Sequence, residues 1–339
     1  MAKFTGLIKN EYIKLLKKTS TLVFLILLGV YALIIPIFSL TAESILGSVD
    51  YPETSYSLEA KLDYANERIA EYESYDIADD NYSLKAELKM LKDRALIYEH
   101  RIENDIEYDV SEHKSWVDGD DVSFWTVFNM NYSCVSFISI VVIVAAGIIV
   151  ESEFSKGTIK FLLVNPVKRW KILLSKYLTV ISYGYIAIIF SYILSLIISL
   201  ILYGGGDNLT ASYLYVSDGV VKSCPGLLYT FGQYMLASVD MVVSGTLAFA
   251  MSSLFRSSAL AISISVVCSL MGTTVTGILS LLKYNWGKYI IFANTNFNMV
   301  MDGQTGFKDH TLTIAISVVV IHLAIFLFAA FKSFTKRQV

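Results

Sequence analysis

The chain has 339 residues, of which 55% are apolar and only 17% are charged, and its formal net charge at pH 7 is −3. This composition excludes an ordinary soluble domain and favours a protein that crosses a membrane several times. The three cysteines, Cys134, Cys224 and Cys268, show neither metal-site spacing nor a disulfide framework.

Residues 1–20 predict a cytoplasmic helix that lies in the membrane interface. At helical spacing one face is apolar and comprises Phe4, Leu7, Ile8, Tyr12, Leu15 and Leu16. The basic residues that lie off this face or flank it are Lys3, Lys9, Lys14, Lys17 and Lys18. Outward lysines suit the anionic headgroups of the inner leaflet, although a frayed basic tail is the alternative. Residues 21–40 then predict transmembrane helix 1, which the preceding lysines orient from the cytoplasm to the exterior.

Residues 41–130 predict an extracellular domain built on a helical hairpin. This stretch is acidic and lacks the excess of Lys and Arg that is typical of cytoplasmic loops. Apolar residues recur every three or four positions in two series, Leu58, Leu62, Ala65, Ile69, Tyr72 and Leu84, Leu88, Leu91, Ala95, Tyr98, Ile102, Ile106. Two such seams, joined by a polar turn at 75–81, predict an antiparallel pair of helices. The hairpin either receives or shields a substrate, or it only extends the loop between two spans.

Five further apolar stretches predict transmembrane helices 2 to 6, at 131–150, 177–203, 228–255, 259–282 and 311–331. Small residues are frequent in transmembrane helix 5, which favours its burial in the bundle or at a subunit interface. The connections are a cytoplasmic loop at 151–176, a flexible extracellular loop at 204–227, a tight cytoplasmic turn and an extracellular segment at 283–310. The basic tail at 332–339 lies inside, so both termini are cytoplasmic.

The loop at 151–176 is distinguished by its dense mixture of charged and apolar residues. Its basic residues, which predict a cytoplasmic location, are Lys156, Lys160, Lys168, Arg169, Lys171 and Lys176. Gly157 and Thr158 can open a short helix, and Pro166 ends it. That helix exposes the apolar run at 161–164, which a cytosolic loop does not do unless a partner covers it. The alternative is an ordinary re-entry loop with inside-positive charge.

Across this loop the sequence resembles the first cytoplasmic loop of ATP-binding-cassette (ABC) export permeases of the second type, which include bacterial antimicrobial-peptide, drug and polymer exporters. The residues that match are Glu151, Gly157, Thr158, Leu162, Leu163, Pro166, Arg169 and Lys176. In that family the loop carries a coupling helix, which sits in a cleft of a separate ATPase subunit. The resemblance also implies an interfacial elbow helix before the first span and short re-entrant helices before the sixth.

Together, hydropathy and the resemblance predict an all-α polytopic membrane protein with six transmembrane helices. On the resemblance, the chain is the permease subunit of an ATP-driven exporter in a bacterial plasma membrane. Its expected partners are two ABC ATPase subunits, a second permease chain in a homo- or heterodimer, membrane lipid and an amphipathic substrate. That substrate is an antimicrobial peptide or drug, as in bacteriocin immunity and multidrug resistance, and no nucleic-acid partner is expected.

The sequence contains no Walker-type glycine loop and no catalytic constellation. ATP and Mg²⁺ are therefore expected in the partner subunit, and no cofactor, metal or enzymatic activity is expected in this chain. Glu151 and Glu153, at the inner end of the second span, either cap the coupling helix or pair with basic residues nearby.

Two ionisable residues lie inside the predicted spans, Asp240 in the fourth and His322 in the sixth. Such groups cost roughly 2.5–3.5 kcal/mol each on insertion scales and tend to face a bundle interior or a wet cavity. Both lie at similar depth in inward-running helices, so they can pair and form a polar lining or a cation or proton site. Alternatively, a neighbouring Ser or Tyr satisfies Asp240 and a backbone carbonyl satisfies His322.

The sequence is also compatible with three other classes of function. A mechanotransmitter would pass cytosolic ATP hydrolysis to the external hairpin without moving a substrate. An ATP-driven ion extruder would export Na⁺ and use Asp240. A membrane enzyme is a third class, which the lack of catalytic residues in the sequence disfavours.

Overall fold

The computed structural model describes residues 2–46, 57–75, 82–112, 123–155, 168–204 and 209–336. Most of these residues are helical, and six helical stretches are long and apolar enough to cross a membrane. These candidate spans are Thr19–Phe38, Phe124–Glu153, Arg169–Tyr203, Gly226–Phe255, Ser258–Leu281 and Leu312–Thr335. By length and composition, the prediction of a predominantly helical polytopic membrane protein is confirmed.

The described helices are, in chain order, α1 (Ala2–Leu16), α2 (Thr19–Leu46), α3 (Leu58–Ser74), α4 (Tyr82–Glu103), α5 (Phe124–Met130), α6 (Cys134–Ser155), α7 (Arg169–Tyr203), α8 (Gly226–Phe255), α9 (Ser258–Leu281), α10 (Phe297–Met301) and α11 (Leu312–Lys336). Short 3₁₀ turns occupy Val110–Glu112, Asn131–Ser133, Asn285–Tyr289 and Ile291–Asn294. Two strands, β1 (Ser212–Ser217) and β2 (Val220–Pro225), lie between α7 and α8.

The second and third spans extend beyond their predicted limits. The second begins at Phe124 rather than at 131, because α5 leads into α6 through a single 3₁₀ turn. At the other end α6 continues to Ser155 and α7 starts at Arg169, so both flanks of the predicted loop at 151–176 are helical. Glu, Lys and Arg are strong helix formers but interrupt a hydropathy pattern, which explains why the two helices continue beyond their apolar stretches.

Helix α8 packs against α6, α7, α9 and α11 and lies at the centre of the bundle. Glycines permit this close approach: a Cβ at Gly184 in α7 would lie 2.5 Å from Met241 Sδ in α8. In contrast, only 11% of the apolar stretch of α9 is buried, so its predicted burial within this bundle is wrong. Small side chains permit close packing but do not supply a neighbour, and a subunit interface for α9 stays a prediction.

The predicted loop at 204–227 contains a two-stranded antiparallel sheet, which corrects two expectations, a flexible loop at this point and an all-α protein overall. β1 pairs with β2, and Ser217 lies opposite Val220. Asp218 and Gly219 form the turn between them with φ angles of 56° and 76°, as a type I′ hairpin turn requires. An Asp-Gly pair between runs of β-branched and aromatic residues was the sequence signal for this hairpin.

The predicted pair of helices in the acidic domain corresponds to α3 and α4, which pack against each other. Tyr72 Oη donates a hydrogen bond to Glu87 Oε1 at 2.7 Å, and Lys92 pairs with Glu73 at 2.5 Å. These contacts join the two helices along their polar edges. Residues 76–81, which include most of the predicted turn, lie outside the described residues.

The buried carboxylate of Asp109 ties the base of this helical pair to the β-hairpin. Asp109 Oδ1 accepts hydrogen bonds from the backbone N–H groups of Leu214 in β1 and of Ser111, both at 3.0 Å. Burial raises the pKa of Asp109, and the bonds from Ser111 and Leu214 oppose that rise. The α3–α4 pair is therefore attached to the element that leads into α8.

The segment between α9 and α11 packs deep against the bundle. Phe292 lies over Gly272, where an added Cβ would collide with its ring. Gly272 lies nine residues before the end of α9, which is about 14 Å along a helix that rises roughly 1.5 Å per residue. Ile291 packs in an apolar cluster with Val243 and Val319.

A buried hydrogen-bond network holds this segment. Asn294 Nδ2 donates to the carbonyl oxygens of Lys288 at 2.8 Å and Ile290 at 2.7 Å. His310 Nε2 donates to Asn294 Oδ1 at 2.9 Å, and His310 Nδ1 accepts from the Thr305 hydroxyl at 3.0 Å. Burial, and secondly the charge of Lys288, lower the pKa of His310, which favours this neutral form.

Candidate functional site

Four charged side chains meet where α1, α6 and α7 converge. We call Glu11, Lys14, Glu153 and Lys176 the charge cluster. Lys176 Nζ lies 2.8 Å from Glu11 Oε2 and 3.0 Å from Glu153 Oε1. Lys14 Nζ contacts the same residues, with Glu11 Oε1 at 3.1 Å and Glu153 Oε1 at 2.9 Å. Each ammonium group therefore bridges both carboxylates, and the formal charges of the cluster cancel.

Three members of the charge cluster are almost completely removed from water. The exposed fraction of the side chain is 2% for Lys176, 7% for Glu11 and 9% for Glu153, against 45% for Lys14. Removing charges from water is costly, and mutual pairing offsets that cost only while every partner remains in place. Burial opposes the charge on Lys14, but the hydrogen bond to Glu153 and the charge of Glu11 outweigh it and raise the pKa of Lys14.

Two members of the charge cluster, Glu11 and Lys14, were not predicted as site residues. The predicted N-terminal helix is present as α1, but Leu16 is 59% exposed instead of lying on the packed face. Glu11 is buried on that face, and Lys14 turns toward the two carboxylates rather than outward. The available signal was that Glu11 is the only acidic residue of α1 and falls on the stripe that contains Leu15.

The predicted coupling residues fall into two groups. Glu153 and Lys176 come together in the charge cluster, so Glu153 pairs with basic neighbours, which is one of the two roles expected for it. Glu151 and Arg169 are half-buried near the ends of α6 and α7. The remaining residues, which lie outside the described part of the chain, are Gly157, Thr158, Leu162, Leu163 and Pro166.

The two intramembrane candidates lie beside different neighbours. Asp240, the fifteenth residue of the 30-residue α8, lies beside the hydroxyls of Ser139 in α6 and of Thr295. His322 Nδ1 donates to the carbonyl oxygen of Val318, one turn earlier in α11, at 2.8 Å. Among the bonds made by the described residues, none joins Asp240 to His322. A role of either residue in transport stays a prediction.

A family model for proteins of unknown function, DUF2705, matches residues 104–339. The chain belongs to the DUF2705 family. The matched region begins after α4 and includes α5 to α11 with both strands. Glu153 and Lys176 of the charge cluster lie within the DUF2705 match, whereas Glu11 and Lys14 precede it.

Two proteins of Bacillus subtilis are similar to this member of the DUF2705 family over much of its length. The uncharacterized protein YhcI is 34% identical over 242 residues, which cover 71% of this chain and 72% of YhcI. The uncharacterized membrane protein YdbK is 33% identical over 222 residues, which cover 65% of this chain and 85% of YdbK. The description of YdbK as a membrane protein agrees with the six candidate spans, and no solved structure is found to match the chain.

Proposed function

We propose that this DUF2705 protein is the permease subunit of an ATP-driven ABC exporter, coupled to a separate ATPase through the loop at 151–176. It works beside a second permease chain in a bacterial plasma membrane and moves an amphipathic peptide or drug outward. The observation that carries the proposal is the charge cluster. It joins α6 and α7, the helices on either side of this loop, to each other and to α1.

The charge cluster supports a loop that transmits force. Lys176, near the start of α7, forms an ion pair with Glu153, near the end of α6. The two helices therefore cannot separate at this point without unpairing buried charges. Glu11 joins α1 to the same lysine, and Tyr12 adds a second α1–α7 contact by donating to Ser182. A push on residues 156–167 from a partner therefore moves α1, α6 and α7 as one unit.

Helix α6 provides a route from the loop to the middle of the bundle. It carries Glu153 near its inner end and Ser139 fourteen positions earlier, about 21 Å away at roughly 1.5 Å per residue. Ser139 contacts Asp240 at the centre of α8, and Asp240 also contacts Thr295. Displacement of α6 therefore reaches the polar centre of the bundle through a single stiff helix.

We also infer that the segment between α9 and α11 is re-entrant and lies near the exit of the transport path. Its Thr295 meets Asp240 at the midpoint of α8, and its Phe292 packs over Gly272 well inside the end of α9. Irregular backbone at membrane depth must have its polar groups covered by protein. The Asn294–His310 network supplies such partners for the carbonyl groups of this segment.

The test coexpresses the tagged full chain with a Walker-containing ABC ATPase subunit from the same organism and measures their co-purification. Leu162→Asp and Leu163→Asp should each release the ATPase, because a charge on the apolar face of the coupling helix cannot enter a hydrophobic groove unpaired. The control Tyr75→Asp alters an exposed residue beside α3 and should retain it. Retention of the ATPase by both loop variants would overturn the proposal.

A second candidate function, mechanical signalling to the α3–α4 pair, is favoured by the Asp109–Leu214 hydrogen bond. Through β1 and β2 this bond connects the α3–α4 pair to α8, so motion of α8 reaches that pair without any substrate crossing. Proteoliposomes that contain the full complex separate the two functions. ATP-dependent peptide transport supports the exporter, whereas ATP-dependent movement of a spin label at Tyr64→Cys without transport supports the mechanotransmitter.

A further inference from the structure

Three aromatic side chains are exposed just beyond the end of α9. The exposed fractions of Tyr284, Trp286 and Tyr289 are 52%, 58% and 57%. Several large rings that are exposed within one short segment mark an interaction surface rather than an ordinary protein surface. The segment follows directly on a candidate membrane span, which ends at Leu281.

The local backbone presents two of these rings on the same side. Residues Asn285–Tyr289 form a 3₁₀ turn, in which side chains three positions apart lie above one another. Trp286 and Tyr289 have this spacing, whereas Gly287 and Lys288 between them are buried. The turn therefore has an exposed aromatic side and a side that packs against the protein.

Contacts of the buried side fix this orientation. An added Cβ at Gly287 would lie 2.7 Å from the ring of Phe307 and 3.1 Å from Leu279 Cβ in α9, so the turn lies directly against both residues. Lys288 Nζ donates a hydrogen bond to the carbonyl oxygen of Lys308 at 2.9 Å. The exposed rings therefore cannot turn into the bundle without breaking this packing.

The length of α9 places these rings at the level of the lipid headgroups. The helix has 24 residues, so it extends about 36 Å along its axis and about 34 Å along the membrane normal at a typical tilt of roughly 20°. The hydrocarbon core is about 30 Å thick, with a headgroup region on each side. Arg256, in the turn before α9, suits the opposite membrane surface. Leu281 and the rings that follow it therefore lie just outside the hydrocarbon.

We propose that Tyr284, Trp286 and Tyr289 form an interfacial anchor, which binds the lipid headgroup region at the C-terminal end of α9 and sets the depth of this helix. Tyrosine and tryptophan fit this environment, because their rings are apolar while their O–H and N–H groups reach polar partners. The interfacial anchor continues the surface of α9, of whose apolar stretch only 11% is buried, so the lipid around α9 also reaches these rings. This interaction does not depend on the transport function proposed above.

Depth-dependent fluorescence quenching tests the proposal. The full chain, with its native cysteines replaced by serine, is reconstituted in phosphatidylcholine liposomes. A nitrobenzoxadiazole label at Trp286→Cys should be quenched roughly twofold more by a nitroxide on the lipid headgroup than by one at the middle of an acyl chain. The matched control Leu270→Cys lies at the middle of α9 and is 61% exposed, so its label should show the reverse order.

A second measurement separates anchoring from location. With the label at Leu282→Cys, Trp286→Leu and Tyr289→Leu together remove the polar groups but keep apolar side chains. Mid-chain quenching of the label should then rise, because the end of α9 sinks toward the hydrocarbon. Tyr215→Leu, which changes an exposed tyrosine of β1, is the matched control and should leave the quenching unchanged.

Three outcomes would overturn the proposal. If neither nitroxide quenches the label at Trp286→Cys, then water or a second copy of this chain surrounds the rings instead of lipid. Stronger quenching of this label at mid-chain than at the headgroup would place the rings inside the hydrocarbon. Unchanged quenching in the double leucine variant would remove the anchoring role.

Discussion

The charge cluster and Asp240 are both buried polar sites, but they are built in opposite ways. The charge cluster pairs two cations with two anions from three helices, and its Lys176–Glu11 contact spans 165 positions of sequence. Asp240 is instead a carboxylate that lies beside the neutral hydroxyls of Ser139 and Thr295. Loss of one charge should therefore be most harmful in the charge cluster, where it leaves an opposite charge buried.

The largest effect is expected for Lys176→Met. It leaves the buried carboxylates of Glu11 and Glu153 with only the half-exposed Lys14, so the free energy of unfolding should fall by roughly 3–5 kcal/mol. The control Lys171→Met lies on the same helix, is half-buried and stacks over Trp170, and should cost less than about 1 kcal/mol. Chemical unfolding of the detergent-solubilised chain measures both variants.

A rescue experiment sharpens this prediction. Adding Glu11→Gln to Lys176→Met restores the charge balance between Glu153 and Lys14, so the double variant should be more stable than Lys176→Met alone. Equal, small losses for Lys176→Met and Lys171→Met would contradict the account of the charge cluster.

A smaller effect is expected near Asp240, at the place where Phe292 packs over Gly272. Gly272→Val places a side chain against the Phe292 ring and should destabilise the protein by roughly 1–3 kcal/mol through overpacking. Gly277→Val is the matched control, because it lies on the same helix and has nothing within 4 Å of an added Cβ. Thermal unfolding compares the two variants, and equal melting temperatures would show that Phe292 does not pack there.

Double-mutant cycles measure the coupling energy between two residues, here within the charge cluster and between Asp240 and His322. Asp240→Asn and His322→Gln should be additive to within about 0.5 kcal/mol, because the two side chains lie beside different neighbours. Glu11→Gln and Lys176→Met should instead couple by more than about 1 kcal/mol. Strong coupling between Asp240 and His322 would restore the hypothesis of an intramembrane ion or proton site.

The smallest effect is expected from pH, through His310. The pKa of His310 is lowered from its ordinary value of 6.5, so the unfolded chain binds this proton more readily than the folded chain. Its contribution to stability is therefore complete above about pH 6.5 and is lost as the pH falls below that value. His310→Gln should reduce the loss of melting temperature between about pH 7.5 and pH 5.5. The control His100→Gln should not, and an unchanged pH profile in His310→Gln would contradict the buried network.

The sequence was sufficient for features that depend on local composition and insufficient for those that depend on distant partners. The six candidate spans follow from apolar runs, and the hairpin turn at Asp218 and Gly219 had a readable signal that was missed. The partners of Glu11 could not be predicted in this way, because a helical periodicity identifies a face but not the residue that lies opposite it. For the same reason the predicted pairing of Asp240 with His322 depended on their similar depth alone, although the two side chains lie beside different neighbours.

The most direct test of the coupling loop is maleimide labelling of Leu163→Cys in a chain whose native cysteines are replaced by serine. A membrane-impermeant maleimide is added to oriented vesicles, with and without the coexpressed ATPase. The account predicts labelling in inside-out vesicles that lack the ATPase and protection when the ATPase is present. Labelling in right-side-out vesicles, or equal labelling of inside-out vesicles with and without the ATPase, would contradict it.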